Sequence, residues 1–195
     1  DGAGNEYVHT LEYDAPTGVF TVWVEYRNRS GREQVLESLQ SFSVSGIGAH
    51  RGGGFSDIGM KLVRMTSAWS RECRIKEDEF CDLGLDMSWA PHGVKCERFG
   101  QVGTMPNRGW YPFAAIEGAG CVWAATLEAP YSWQMEVYKL RETCALSGGL
   151  ADYEFGHWFK KIAHGERFST HKAYLWVGKG SSLDACNAFV RFQDN

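Results

Sequence analysis

Short alternating stretches of apolar and polar residues, broken about every ten residues by glycine, proline, asparagine or aspartate, constrain this chain more than any other feature. A strand turns successive side chains to opposite faces, so a period of two marks strands with one face in a core. Within residues 18–28, Phe20, Val22, Val24 and Tyr26 face one way, and Thr21, Trp23 and Glu25 the other. Residues 6–14 alternate more loosely through Tyr7, His9, Leu11 and Tyr13, and Ala15-Pro-Thr-Gly18 has turn chemistry. The two segments read as an antiparallel hairpin.

The same logic marks strands in residues 34–47, 60–67, 82–89, 93–99, 110–116, 121–128, 133–140 and 142–147. Gly148-Gly149 ends the last of these. Residues 155–162 are aromatic and mixed, His164-Gly-Glu166 makes a turn, and residues 168–177 read as one long final strand. Lys76-Glu-Asp-Glu79 reads as a solvated turn. Ser181-Ser182 looks like a helix cap, followed by an apolar helical face of Leu183, Cys186, Phe189 and Val190. This is the single helix expected. Roughly ten to twelve strands joined by short turns predict an all-β, antiparallel two-sheet sandwich with one short C-terminal helix. The 195 residues fit one domain, 1–195.

Composition removes several functions. The net charge is -4 and the basic residues are scattered, so no nucleic-acid partner is expected. No run of 18 apolar residues exists, so no helix is expected to cross a membrane. The chain opens with Asp1-Gly-Ala-Gly rather than Met, as a piece of a longer protein does. Six cysteines without a Cys-x-x-Cys pair give no zinc signature and are expected as reduced thiols, with Cys121 and Cys186 as small buried apolar groups. Residues 46–55 hold five glycines but no helical pattern follows, so a phosphate cradle at a helix start is not expected.

Catalytic groups do not assemble from the sequence. His157, His164 and His171 are equally spaced, but they fall in different elements and are read as unrelated, with no metal. No Gly-x-Ser-x-Gly elbow is present. Glycosidase chemistry requires two carboxylates across a sugar ring, and Glu72, Glu117, Glu128, Glu136 and Asp152 cannot be paired by sequence. Trp69, Trp89, Trp110, Trp133 and Trp158 sit near loops or strand ends. A Trp face can stack on a pyranose or close the end of a sandwich, and Arg71 or Arg108 could bond hydroxyls.

The stretch from Gly100 to Glu117 joins a loop of glycines and prolines to a buried strand, residues 110–116. Its part up to Phe113, begun three residues earlier at Glu97-Arg-Phe99 and followed by Glu117, forms an ordered set with Arg64-Met-Thr-Ser-Ala-Trp-Ser-Arg-Glu72, Ser132-Trp-Gln-Met-Glu-Val-Tyr138, Leu146-Ser-Gly-Gly149, Gly156-His-Trp158 and Gly165-Glu-Arg-Phe-Ser-Thr170. Taken together, these pieces resemble the N-terminal domain of glycoside hydrolase family 36, the α-galactosidases or melibiases, from about residue 6 to residue 192. The resemblance implies a β-supersandwich similar to the galactose-mutarotase fold. In that family it precedes a (β/α)8 barrel carrying two catalytic aspartates of a retaining mechanism. Those motifs have no match here, so no catalytic residue and no cofactor is expected. The implied partners are the enzyme's own C-terminal barrel, α-galactoside oligosaccharides through the parent enzyme, and copies of itself in a homo-oligomer; the implied location is cytoplasmic. Trp69, Arg108 and Trp110 become the candidates for contact with sugar or barrel. The alternatives are a stand-alone carbohydrate-binding module, or a sugar mutarotase or epimerase using His92 or His157.

Overall fold

The computed structural model describes residues 4–48, 59–85, 95–105, 107–118, 120–140 and 143–194. Trp89, His92, the Ala90-Pro-His-Gly93 turn, residues 49–55 of the glycine-rich loop, Pro106 and Ala119 lie outside them. The first half of the chain contributes β1 (Glu6–Asp14), β2 (Val19–Arg27), β3 (Gln34–Leu36), β4 (Gln40–Ile47), β5 (Lys61–Thr66), β6 (Arg74–Glu79) and β7 (Lys95–Gln101). The second half contributes β8 (Trp110–Gly118), β9 (Cys121–Leu127), β10 (Trp133–Leu140), β11 (Thr143–Leu150), α1 (Tyr153–Gly156), β12 (Lys160–Ile162), β13 (Arg167–Ser169), β14 (Ala173–Lys179) and α2 (Ser182–Gln193).

The large sheet runs β1-β2-β14-β9-β8-β5-β6, with β13 also paired to β2. The small sheet runs β4-β11-β10-β7, and β12 pairs with β3. Every pairing among the described residues is antiparallel. The expected two-sheet antiparallel sandwich is therefore the observed one. Its core lies between the sheets: Leu62, Ile116 and Leu127 of the large sheet meet Phe42, Trp133, Met135 and Leu146 of the small one.

A third layer covers the far face of the large sheet. Ala185, Ala188 and Phe189 of α2 pack on Val63, Phe113, Ala115 and Val122. The Ser181 cap is present: the Ser181 backbone N–H donates to the Asp184 carboxylate at 2.9 Å. Glu117 of β8 accepts the Ser182 N–H at 2.5 Å, so a carboxylate from the sheet meets the positive end of the helix dipole.

Several local expectations need correction. Residues 82–85 do not open a strand: the Gly84 N–H donates to the Cys81 carbonyl at 3.1 Å in a turn, and residues 86–89 lie outside the described residues. Residues 34–47 divide into β3 and β4. Lys76–Glu79 is not a turn but part of β6, the outer strand of the large sheet. It pairs with β5 along its length, and the backbone ladder outweighs the charged composition. Gly148 and Gly149 do not end a strand; they lie inside β11, where the backbone of β4 approaches closely. A Cβ at Gly149 would stand 2.6 Å from Ser41 N, so the glycines admit the neighbouring strand rather than break their own. The final strand is two strands, β13 and β14, both along one edge of β2. Thr170 marks the break, where its hydroxyl accepts the Val24 N–H at 3.0 Å. Finally, α2 has a one-turn companion, α1, capped by Asp152 accepting the Phe155 N–H at 2.8 Å.

Gly100 shows the same principle as Gly149. A side chain there would come within 2.9 Å of Gln134 Cα and nearer still to the Trp133 carbonyl oxygen. Gly100→Ala is expected to cost about 2 kcal/mol in urea denaturation by forcing β7 from β10. Val102→Ala, at a side chain 46% exposed, is expected to cost less than about 0.5 kcal/mol.

Candidate functional site

The loops after β5, β7 and β9 meet at one end of the sandwich. The Ser67 N–H donates to the Gly109 carbonyl at 2.9 Å, tying residues 67–73 to residues 102–109. Ser132 Oγ accepts the Gly103 N–H at 2.8 Å, bringing in the loop before β10. These bonds assemble a rim that carries all three sequence-derived candidates.

Trp69 is 94% exposed, Arg108 is exposed, and Trp110 is half-buried. Ser70 and Cys73, in the same turn as Trp69, adopt positive φ angles of 60° and 57°. Left-handed backbone at non-glycine residues is uncommon and holds the turn in a specific shape. Met105 and Tyr131 add exposed apolar surface to the rim. An exposed indole is suited to stacking on the apolar face of a sugar or to docking on another protein surface.

Trp110 is engaged from inside. The Arg64 guanidinium lies 4.7 Å from its ring centroid and 5.1 Å from that of Phe99. Phe99 meets Trp110 edge-on at 5.7 Å and Trp133 at 5.9 Å. Arg64 is 2% exposed and bridges the layers: it donates to Asp78 of β6 at 2.5 Å and to Glu97 of β7 at 2.7 Å. Its Nε is buried without a hydrogen-bond partner. A buried cation requires paired anions, and planar guanidinium also stacks on aromatic faces, so Asp78, Glu97, Phe99 and Trp110 supply both needs.

Sequence reasoning missed this cluster. The signal was an arginine on the inward face of an apolar strand, Leu62-Val-Arg64, opposite a run of acidic residues. Only the pairing of β5 with β6 shows that Asp78 reaches it. Burial raises the Asp78 carboxyl, but hydrogen bonds from Arg64 and Lys76 outweigh this and hold it below its ordinary value of 3.8.

The other carboxylates considered for catalysis are dispersed. Glu117 caps α2, Glu128 accepts from the Tyr174 hydroxyl, and Glu136 binds Arg98. Asp152 accepts from Gln134 at 3.0 Å as well as capping α1, and Glu72 accepts the Ser70 N–H at 3.1 Å. The three spaced histidines are separate: His157 meets the Tyr153 ring, His164 accepts the Gly31 N–H, and His171 meets the Tyr131 ring. Among the described residues, no three of His, Cys, Asp and Glu gather as metal ligands. All six cysteines are free thiols. Cys144 is buried, whereas Cys121 and Cys186 are only partly so.

The sequence matches no protein family and no curated protein. Solved structures do share its fold. An α-galactosidase from Lactobacillus brevis superposes with a TM-score of 0.75 at 14% identity, over 97% of this chain and 23% of that one. The galactosidase domain of the α-galactosidase-sucrose kinase AgaSK gives 0.74 at 13% identity, over 97% and 24%. A family 36 α-galactosidase, AgaA of Geobacillus stearothermophilus in complex with raffinose, gives 0.64 at 14%, over 97% and 26%. The chain therefore has the fold of a part of these α-galactosidases and spans about a quarter of their length.

Asp78→Asn is expected to destabilise the protein at pH 7 by about 3 kcal/mol, because it leaves Arg64 under-compensated in the interior. A carboxyl whose folded-state pKa is depressed stabilises the fold above its unfolded pKa. That contribution is lost as pH falls through the folded value. The stability difference between wild type and Asp78→Asn should thus be full near neutrality and shrink below pH 3.8, as read by denaturation across pH.

Proposed function

We propose that this chain is the non-catalytic N-terminal β-supersandwich domain of an α-galactosidase that removes terminal α-galactosyl residues from oligosaccharides. One observation carries the proposal. Almost the whole chain superposes on α-galactosidases, yet it accounts for only about a quarter of each. A segment of that size, with two packed β-sheets, a two-stranded ribbon and no alternation of strand and helix among the described residues, has no place in it for a (β/α)8 barrel. The chemistry then belongs to a barrel that follows, on which this domain packs, within a cytoplasmic homo-oligomer. The dispersal of Glu72, Glu117, Glu128, Glu136 and Asp152 into caps and ion pairs supports a supporting role for this domain.

The rim formed by residues 67–73 and 102–109 is the proposed contact with barrel or sugar. Trp69 and Arg108 supply the exposed groups, while Trp110 braces the rim from beneath through Arg64. Raffinose and stachyose, which are bound by the Geobacillus enzymes, exemplify the substrate class proposed for the parent protein.

The test compares two proteins on a chromogenic α-galactoside: this chain, and the same chain extended by the sequence that follows it in its gene. Activity is expected in the extended protein alone; turnover by the 195-residue chain would overturn the proposal. Saturable binding of raffinose by the short chain would favour a carbohydrate-binding module, and acceleration of mutarotation would favour an epimerase. Trp69→Ala is expected to leave the melting temperature unchanged, because its side chain is 94% exposed. In the extended protein the same change is expected to lower kcat/KM several-fold, the scale of one lost aromatic contact.

A further inference from the structure

An open cleft of about 590 Å³ lies between the turn after β2 and the turn before β13. Among the described residues its lining is Arg27, Asn28, Arg29, His164, Gly165 and Arg167, with no carboxylate. None of Trp69, Arg108 and Trp110 takes part in it. Arg27 and Arg167 are direct cross-strand partners in the β2–β13 pairing. Cross-strand partners project to the same face, and like charges set opposite one another are unfavourable. The register therefore sets two guanidinium-bearing side chains on one face, with Glu25 in reach of both.

The surrounding carboxylates offset this only in part. Glu25 accepts from Arg27 Nε at 2.5 Å and lies 3.9 Å from Arg167. Glu6 lies 2.9 Å from Arg29 and 3.6 Å from Arg27. Among the described residues two anions thus serve three guanidiniums, and the side chains of Arg29 and Arg167 remain 56% and 74% exposed. His164 accepts the Gly31 N–H on Nδ1 at 3.1 Å, so the neutral ring carries its proton on Nε2 as a further donor.

The frame beneath these donors is rigid. Asn28 is fully buried, and its Nδ2 donates to the Arg32 and Ile162 carbonyls at 2.7 and 2.8 Å. Its Oδ1 accepts from the Ser30 N–H at 3.0 Å and the Ser30 hydroxyl at 2.8 Å. The Gly165 N–H donates to the Asn28 carbonyl at 2.8 Å, and the Asn28 N–H to the Glu166 carbonyl at 3.0 Å. One buried side chain thereby locks the two turns that carry the cationic groups.

We propose that this cleft binds a phosphate group, as inorganic phosphate or as a phosphomonoester. A tetrahedral dianion presents several acceptor oxygens to donors arriving from different strands. It also compensates the positive charge that Glu6 and Glu25 leave over, which a neutral sugar hydroxyl cannot do. The site is independent of any α-galactosidase activity downstream.

The test is calorimetric titration of the 195-residue chain with sodium phosphate and, separately, with glucose 6-phosphate, at constant ionic strength in chloride, with glucose as the neutral control. Saturable binding in the submillimolar to millimolar range is expected for at least one anion, and none for glucose. Tighter binding of phosphate assigns the free anion; tighter binding of glucose 6-phosphate assigns the monoester. Arg29→Gln and Arg167→Gln should each weaken binding on the order of tenfold, as expected for one charge-assisted contact. Arg167→Glu should abolish binding, because it replaces a donor with a carboxylate that repels the anion. Absence of saturable binding by both anions overturns the proposal. So does binding that all three variants leave unchanged, which would mark an adventitious ion only.

Discussion

Strand β8 is buried on both faces, and the rest of the structure follows from that. From Phe113 to Ile116 every residue is buried, with no polar position between them. Ala114 and Ile116 face the small sheet, while Phe113 and Ala115 face α2. A strand apolar on both sides requires cover on both sides, so an antiparallel sheet that could have left one face in water acquires a third layer. The helix is anchored where it is needed: Glu117, the next residue of β8, accepts the N–H of the first helical residue. Sheet pairing, core and helix therefore converge on one strand.

At the end of β8 the same strand passes from an apolar core to a charged one. Trp110 opens β8 and lies against Arg64, whose charge is shared between an edge strand of each sheet through Asp78 and Glu97. Hydrophobic contact is indifferent to small slides of one sheet on another. A buried cation with two fixed anions is not, so this cluster sets how the sheets align at the rim. The exposed Trp69 turn and residues 102–109 are built on this foundation, and their positions depend on it. Rim position and sandwich geometry are thereby linked through one side chain.

Much of the architecture was legible in the residues. Strong alternation in residues 18–28, 121–128 and 133–140 located β2, β9 and β10, because a period of two is a local property of a half-buried strand. The Ser181 cap and the apolar spacing after it located α2 for the same reason. Two segments were misplaced because a distant partner overrode local preference. The acidic run in β6 is extended because β5 supplies its backbone partners. The paired glycines of β11 continue a strand because β4 fills the space a side chain would occupy. The candidate site was half legible: Trp69 and Arg108 announced themselves as loop residues, whereas Arg64 stood in plain view on a strand with no visible partner.

What the sequence determined alone is the repertoire: antiparallel strands of this length, their turns and one capped helix. These follow from interactions between residues near one another along the chain, where side-chain period and turn chemistry act directly. Only the tertiary structure decided which strands became neighbours, that β9 and β10 part into different sheets, and that Asp78 and Glu97 close on Arg64. It also decided that Arg27 stands beside Arg167, 140 positions away by their numbering. Such pairings depend on register between distant strands, set by how whole faces bury together, and no local pattern encodes it.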